Sequence, residues 1–521
     1  MKLLRKYLIL CHRYLGIPLS FLFVLWFISG IAMMYAGGMP TLTPQTRIER
    51  LPPLDLRRVT LAPLEAAALA QISTTQAETV LVSVLDRPAY RFGAGRYATT
   101  VFADTGEILD EIGPDEARSV AGRFLNVPES AIGYVRMVDE PDQWTLVLQR
   151  ALPLHQFRVG DGDGTEVYVS PTLAEVSLVT NRQSRTLAWI GTIPHWLYFT
   201  PLRTNQPLWY WTVVWASGLG CVLAVMGLLL GITQFKKSKP FRLSASIRYS
   251  GWMRWHYILG VVFGVFALTW VFSGLLSMEP FAWTGEDGLN VRRDAFTGGP
   301  LELASFPLAG AARWENVLDG RTPKEIEFTR IQGDAYYLAR YTVDAREVKR
   351  ERLHQPYRVE GQGGPERLLV AADTLAVRSE PFSIESLLSR LGSAAPDAAI
   401  VDSQLLFDYD SYYYSRGRQA PLPILRVKFD DPQATWVYID PAMSRVVAQI
   451  HRLHRLERWL YNGLHSLDFS FWYDRRPLWD IGVILLSIGA LGTSVIGLFL
   501  GFKRVRRDVG RLVRPPTSAP D

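Results

Sequence analysis

Four long apolar runs stand out in the hydrophobic pattern of this 521-residue chain. They cover residues 14–35, 208–233, 257–278 and 481–502. Each run is free of charged residues and is long enough for a transmembrane helix, which needs roughly 20 apolar residues. The first run is too long for the core of a signal peptide, so we expect it to be retained. The pattern therefore predicts a multi-pass membrane protein that interacts with the lipid bilayer through four helices.

Basic residues flank three of these runs. They are Lys2, Arg5, Lys6, Arg13, Lys236, Lys237, Lys239, Arg242, Lys503, Arg504, Arg506 and Arg507. Positive charge near a span stays on the cytoplasmic side, which predicts that both termini are cytoplasmic and that the two long segments between the spans lie outside. The same residues largely explain the net charge of +6. No basic domain is left over, so no nucleic-acid partner is expected.

The second half of the chain repeats the first. His256 lies 244 positions after His12, and His465 lies 270 positions after His195. The same two shifts match Trp26 with Trp270, Ser29 with Ser273, Gly30 with Gly274, Met34 with Met278, Gly227 with Gly497 and Gly231 with Gly501. Parallel repeats of this kind pack around an axis along the membrane normal. We therefore predict two pseudo-twofold halves, with the small residues allowing close helix approach.

The two long polar segments have mixed α and β patterns. Residues 114–125, PDEARSVAGRFL, have helical spacing and acidic residues in the first turn. The alternating runs WTLVLQ, from Trp144, and TEVYVSP, from Thr165, predict strands. A helix at 383–391 and strands at 423–429 and 435–441 are predicted in the second segment, and residues 100–111 resemble residues 368–380. We expect two small helix-plus-strand units in each segment.

Several short motifs resemble one known family. They are HRYLG at the first span, PHWLY and LHSLDF before the second and fourth spans, and the strand ends VYVSP and VYIDP. In this combination they resemble the PepSY-associated transmembrane family. The resemblance implies an iron-regulated inner-membrane protein or a haem-bearing reductase of periplasmic ferric siderophores. Some relatives have a cytoplasmic reductase domain; here we expect only a basic tail after Phe502, so the electron donor is open.

The predicted fold class is an α-helical membrane protein with four transmembrane helices in two pseudo-twofold halves and two α+β PepSY-like periplasmic domains. The membrane parts are 1–36, the first helix with its cytoplasmic N-terminus; 186–235, an amphipathic approach and the second helix; 256–279, the third helix; and 451–502, an approach and the fourth helix. The other parts are the periplasmic domains 37–185 and 280–450, a cytoplasmic loop 236–255 and a basic tail 503–521.

Four of the eight histidines form matched pairs. His12 and His256 are at the inner ends of the first and third spans, and His195 and His465 shortly precede the second and fourth. Ionisable groups at membrane depth are usually functional, and neutral histidine is a common metal ligand and a standard axial ligand of haem iron. Each pair is therefore predicted to hold one haem b, one near each membrane face. Interfacial or structural histidines are the alternative.

Other residues are weaker candidates. Four arginines precede the outer histidines and are predicted to contact either haem propionates or lipid headgroups: Arg182, Arg185, Arg452 and Arg455. His454 is an alternative metal ligand or a solvated helix residue, and Met34 and Met278 are alternative axial ligands or apolar filler. His155 and His354 are expected at the surface.

The favoured function is a haem-dependent inner-membrane oxidoreductase for iron uptake. A quinol or a cytoplasmic reductase would donate electrons, and the resemblance implies a ferric siderophore or another ferric chelate as acceptor. Two alternatives stay open: a membrane-tethered PepSY binding or regulatory protein without redox activity, and an iron or haem transporter. The spans are nearly free of polar residues at mid-bilayer, which is unusual for a transporter.

Overall fold

A computed structural model describes residues 2–76, 78–235, 246–285, 288–308, 310–341, 366–415 and 420–513. Residues 236–245 of the predicted cytoplasmic loop and His354 lie outside these residues. The chain forms two compact units. We call the first, Met1–Met39, Thr186–Glu286 and Leu453–Asp521, the membrane unit. We call the second, Pro40–Arg185 and Asp287–Arg452, the β-rich unit.

Four long helices build the membrane unit: Lys2–Ala36, Gln206–Gln234, Gly251–Leu276 and Leu478–Val513. Three of them include a whole predicted run, and the third long helix covers the predicted run up to Leu276. All four are long and apolar enough to cross a membrane, which confirms the prediction of four such helices. The second begins where the sequence favours it. The side chain of Asn205 accepts a hydrogen bond from the amide of Leu208 at 3.1 Å, and Pro207 lies in the first turn.

Each long helix packs against one long helix of its own half and one of the other half. The first and the third long helices both contact the second and the fourth. Matched glycines lie at these crossings: a Cβ added at Gly231 would be 2.8 Å from Val261, and one added at Gly501 would be 3.2 Å from Ile17. Small residues therefore allow the close approach that the repeat predicts.

Short helices precede the second and fourth long helices. They are Arg182–Ile190, Thr192–Trp196, Thr200–Arg203, Arg452–Glu457, a π-helix at Arg458–Gly463, Leu464–Ser466 and Ser470–Tyr473. Leu197 and Leu467, which are 270 positions apart, end the two histidine-bearing turns in the left-handed conformation, with φ of +53° and +50°. The backbone thus turns in the same way after His195 and after His465.

The β-rich unit contains three larger sheets and one pair of two-residue strands. In chain order, its described strands are β1 Thr75–Gln76, β2 Thr79–Val84, β3 Arg87–Phe92, β4 Thr99–Phe102, β5 Ile132–Val138, β6 Leu154–Val159, β7 Glu166–Ser170, β8 Glu175–Thr180, β9 Leu301–Glu302, β10 Pro323–Ile331, β11 Asp334–Tyr341, β12 Glu366–Ala371, β13 Val377–Arg378, β14 Ile400–Leu406, β15 Ile424–Phe429, β16 Trp436–Asp440 and β17 Arg445–Ile450. All paired strands in these sheets are antiparallel.

Each half contributes one four-stranded sheet, β5-β6-β7-β8 in the first and β14-β15-β16-β17 in the second. Helix Pro114–Leu125 buries Ala117, Ala121 and Phe124 in one core with the first sheet. Helix Ile384–Ala394 buries Leu387 and Leu391 in a core with the second. These two α+β parts contain the predicted helices and the predicted VYVSP and VYIDP strands.

The third sheet combines strands from both halves in the order β13-β12-β11-β10-β2-β3-β4. Strand β10 pairs with β2, and Ile326 stands opposite Leu81. Its core includes Trp314, on the helix Ala311–Leu318, and Ala66, on Pro63–Leu69. The expected second unit of each segment is therefore not separate, because both segments supply strands to one sheet.

Two local predictions were wrong. WTLVLQ is not a strand: residues Leu146–Ala151 form a 3₁₀ helix, and the strand begins at Leu154. The carboxylate of Asp142 accepts hydrogen bonds from the amides of Trp144 and Thr145, both at 3.0 Å, and so starts a turn instead. His155 is not a surface residue; it is buried on β6, and its Nε2 lies 3.0 Å from the carbonyl oxygen of Ile112.

Candidate functional site

The membrane unit brings the four matched histidines together as two pairs. The ring centres of His12 and His256 are 6.4 Å apart, and those of His195 and His465 are 5.9 Å apart. His12 and His256 lie on the first and third long helices. His195 and His465 lie on the short turns that precede the second and fourth. We call these the His12–His256 pair and the His195–His465 pair.

In the His12–His256 pair, main-chain carbonyl groups fix the tautomer. The Nδ1 atom of His12 lies 3.2 Å from the carbonyl oxygen of Leu223, and that of His256 lies 3.1 Å from the carbonyl oxygen of Thr493. A carbonyl oxygen can only accept a hydrogen bond, so each Nδ1 must be the protonated donor. The lone pair of each neutral ring is then on Nε2, where a metal ion can bind.

Glycines make room for these two rings on the facing helices. A Cβ added at Gly227 would lie 2.9 Å from Cε1 of His12, and one added at Gly497 would lie 3.2 Å from Cε1 of His256. A side chain at either position would therefore displace the imidazole. Gly227 and Gly497 are one helical turn after Leu223 and Thr493, so each facing helix supplies both the acceptor and the space.

In the His195–His465 pair, serine hydroxyls replace the carbonyl groups. Nδ1 of His195 lies 3.1 Å from the hydroxyl oxygen of Ser29, and Nδ1 of His465 lies 2.9 Å from that of Ser273. Each hydroxyl donates its own proton to a carbonyl of the preceding turn, that of Leu25 for Ser29 and that of Trp270 for Ser273. The serine oxygens therefore accept from Nδ1–H, and Nε2 again has the lone pair.

Burial keeps His195 neutral. Loss of solvation, reinforced by the neighbouring His465 ring, lowers the pKa of His195 to about 3, although a backbone contact to Trp26 opposes the shift. A ring with this pKa is uncharged at neutral pH. Since a metal binds the unprotonated nitrogen of histidine, this environment suits a ligand.

Two tryptophans that the sequence reasoning missed hold the histidine-bearing turns. The indole N–H of Trp209 donates to the carbonyl oxygen of Trp196 at 2.8 Å, and that of Trp479 donates to the carbonyl oxygen of Ser466 at 3.1 Å. Trp196 and Ser466 directly follow His195 and His465. The repeated sequence Pro-Leu-Trp at 207–209 and 477–479 was the available signal.

The four arginines that were predicted to contact haem propionates or lipid headgroups are distributed over both units. Arg185 donates to the carbonyl oxygen of Gly164 and to the hydroxyl of Thr180, both at 2.7 Å, within the β-rich unit. Arg182 and Arg452 belong to the same unit, and Arg455 belongs to the membrane unit. Arg185 thus secures the turn between β6 and β7, and a propionate contact by any of the four stays a prediction.

The alternative ligands have ordinary environments. His454 lies near Glu279; burial lowers the pKa of His454, and the carboxylate partly offsets the shift. Met34 packs in an apolar cluster with Leu467 and Trp479. Met278 follows the end of the third long helix, so its role as a ligand also stays a prediction.

Each pair offers two imidazole nitrogens. Protein zinc sites usually use three or four side chains, and no group of three or more His, Cys, Asp or Glu within the described ranges is placed to hold a metal ion. Haem iron needs only two axial ligands from the protein. A metal–imidazole bond is about 2 Å long, so imidazoles on opposite sides of one metal ion have ring centres roughly 6 Å apart. Both pairs fit this spacing.

The helices and the sequence together define a class of protein. Residues 9–324 match the family described as the PepSY-associated TM region, and with its four apolar helices the chain is a multi-pass membrane protein. The match covers more than half of the chain, which therefore belongs to the PepSY-associated TM family, as the motifs predicted. It includes His12, His195 and His256, whereas His465 lies beyond it. A search of curated proteins found no match.

Proposed function

We propose that this protein is a di-haem oxidoreductase of the bacterial inner membrane that passes electrons to a ferric chelate in the periplasm. One haem b is held by His12 and His256 and the other by His195 and His465. The observation that carries the proposal is the shared state of the four rings: each has its Nδ1 hydrogen-bonded to a neighbouring oxygen, which leaves Nε2 for the iron.

The depth of the two pairs supports a relay. Ser29, which contacts His195, follows His12 by 17 positions on the same helix, a rise of about 26 Å. The hydrocarbon core of a bilayer is about 30 Å thick. The pairs therefore suit opposite faces, with the His12–His256 pair cytoplasmic and the His195–His465 pair periplasmic in the orientation that the basic flanks predict.

The protein's own residues hold and insulate the cofactors. The histidines supply neutral nitrogens, their oxygen partners fix the ring orientation, and the glycines make room for the rings. Haem iron, when bound, supplies a reversible one-electron carrier at each pair. A quinol or a cytoplasmic reductase provides the electrons, and each ferric ion takes one and becomes ferrous. Ferrous iron binds the hard oxygen donors of a chelator less tightly, which aids its release.

A second candidate is a membrane-tethered binding or regulatory protein. The two α+β parts of the β-rich unit favour it, because a binding module needs this unit and no redox centre. The two functions differ in what they require of the histidines. Electron transfer fails when one of the two pairs is lost, whereas binding through the β-rich unit does not depend on the histidines.

The test uses liposomes that contain the haem-supplied protein, a trapped reductant and external ferric citrate, with ferrous ion detected by ferrozine. We expect protein-dependent reduction that falls to the level of protein-free liposomes in His195→Ala and His256→Ala and persists in the control His454→Ala. Equal activity in all variants, or none in the wild type with haem bound, would contradict the proposal and favour the binding protein.

A further inference from the structure

An arginine lies on two aromatic rings beside each histidine-bearing turn. The guanidinium carbon of Arg203 is 5.0 Å from the ring centre of Tyr198 and 4.7 Å from that of Trp209. The guanidinium carbon of Arg476 is 5.3 Å from the ring centre of Tyr473 and 4.7 Å from that of Trp479. Cations at these distances are attracted by the faces of the rings, so both side chains are held in place.

These arginines are coupled to the His195–His465 pair through the tryptophans. Trp209 and Trp479 are the residues whose indole groups hold the carbonyls that follow His195 and His465. Each guanidinium is therefore two contacts away from a histidine-bearing turn. The arrangement recurs although the arginines are not at matched positions: Gln206 stands 270 positions before Arg476.

Stacking on a ring occupies the face of a guanidinium but leaves its N–H donors at the edge. A planar guanidinium in this state binds carboxylates and other oxyanions with two parallel hydrogen bonds. Arg476 also has a carboxylate partner, Asp480, at 3.4 Å, whereas Tyr210 occupies the matched position in the first half. Arg203 therefore has less competition for an added anion than Arg476.

We propose that Arg203 and Arg476 bind carboxylate groups at the His195–His465 site. The carboxylates come either from an anionic ferric chelate or from the propionates of the haem, and the inference rests on the proposed function. It assigns to these two residues the anion contact that the sequence suggested for Arg182, Arg185, Arg452 and Arg455. If the chelate is the source, the protein selects acceptors by negative charge.

The test uses Arg203→Gln, Arg476→Gln and the double variant that combines them. The control is Arg475→Gln, which removes one positive charge from the exposed turn that also contains Arg476. Pre-reduced, haem-bound protein is mixed with ferric citrate, an anion, or with hexaammineruthenium(III), a cation, and haem oxidation is followed. Calorimetry with gallium(III) citrate measures binding without electron transfer. Haem content and reduction potentials are measured for each variant.

If a chelate is the source, each variant needs about tenfold more ferric citrate for half-maximal rate, since one charge-assisted hydrogen bond is lost. Gallium citrate binds correspondingly less tightly, and the ruthenium reaction is unchanged. If the haem propionates are the source, the haem content or one reduction potential changes. The rates of haem oxidation by ferric citrate and by hexaammineruthenium(III) then change alike. Either result supports carboxylate binding, provided that Arg475→Gln behaves as the wild type.

Wild-type behaviour of the double variant in every measurement would overturn the inference, as would an equal effect of Arg475→Gln. A wild-type protein without haem would instead overturn the proposed function. In that case gallium citrate binding still tests the arginines separately, and binding that does not depend on Arg203 and Arg476 would overturn the inference as well.

Discussion

Each paired histidine has an oxygen at Nδ1 and a glycine beside its ring. His12 and His256 use carbonyl groups that no side-chain substitution can remove, whereas His195 and His465 use serine hydroxyls. Gly30 and Gly274 lie beside the second pair: added Cβ atoms would be 3.3 Å from Cε1 of His195 and 3.8 Å from Cε1 of His465. The first of these contacts is the tighter, so Gly30 tolerates a side chain less well than Gly274.

Gly227→Ala is expected to reduce haem binding at the His12–His256 pair. Its Cβ would meet Cε1 of His12 at 2.9 Å and push the imidazole away from its present position. Haem content per chain and the reduced-minus-oxidised spectrum measure the loss. The matched control is Gly218→Ala on the same helix, where an added Cβ meets nothing within 4 Å. Equal haem content in both variants would contradict this role of Gly227.

Ser273→Ala is expected to raise the reduction potential of one haem and leave the other unchanged. Without the hydroxyl, Nδ1–H of His465 loses its acceptor, so the imidazole becomes a weaker electron donor to the iron. A spectroscopic redox titration measures both potentials. Ser277→Ala is the control, because the hydroxyl of Ser277 donates to the main-chain carbonyl oxygen of Gly274, at 2.8 Å. An unchanged potential in Ser273→Ala would exclude this function of the serine.

At the scale of elements, buried ion pairs join strands of the β-rich unit. Arg47, on the helix Pro44–Arg50, contacts Glu175 of β8 and, at 2.7 Å, Glu325 of β10. Arg91 of β3 contacts Glu175 at 2.7 Å. Burial alone would raise the pKa of Glu175, but the two arginines outweigh it and lower the pKa to about 2. The cluster therefore connects the shared sheet with a four-stranded sheet.

This cluster predicts a loss of stability in acid. The carboxyl of Glu175 titrates near 4.5 when unperturbed and near 2 in the folded protein, so its stabilisation is fully present above about pH 4.5 and disappears as the pH falls towards 2. The contribution is on the order of 3 kcal/mol at neutral pH. Thermal unfolding followed by circular dichroism at several pH values measures it.

Glu175→Gln should lower the unfolding temperature at neutral pH, and its difference from the wild type should shrink below pH 4.5. Glu107→Gln is the control, since Glu107 also pairs with an arginine, at 3.0 Å, but is largely exposed; exposed ion pairs contribute little to stability. A difference between Glu175→Gln and wild type that did not change with pH would show that the charge of Glu175 is not what stabilises the unit.

Some of these elements could be predicted from the sequence and others could not. The long helices were predictable because a charge-free apolar run of this length indicates a membrane-spanning helix. The pairing of His12 with His256 followed from the repeat. The sheet shared by β2 and β10 was not predictable, because each strand alone has the pattern of any half-buried strand. The acceptors Leu223 and Thr493 were also hidden, since a carbonyl group belongs to every residue.

At the scale of the whole molecule, the membrane unit holds two similar histidine pairs, and the residues His12 and Ser29 that mark them are about 26 Å apart along the first long helix. Haem iron at both pairs would make a continuous route for electrons, and the apolar helices between them would exclude water and ions. The protein would then control the reaction through the position of its cofactors rather than through an acid, a base or a nucleophile. This arrangement makes haem stoichiometry the central question.

The most direct measurement is haem quantification with a reduced-minus-oxidised spectrum of the purified protein after expression with ample haem. Two b-type haems per chain are predicted, with one lost in His12→Ala, the other lost in His195→Ala, and both kept in His454→Ala. Thermal unfolding of each variant confirms that the chain is folded. A folded wild-type protein without haem, or variants that keep both haems, would contradict the assignment of the two pairs.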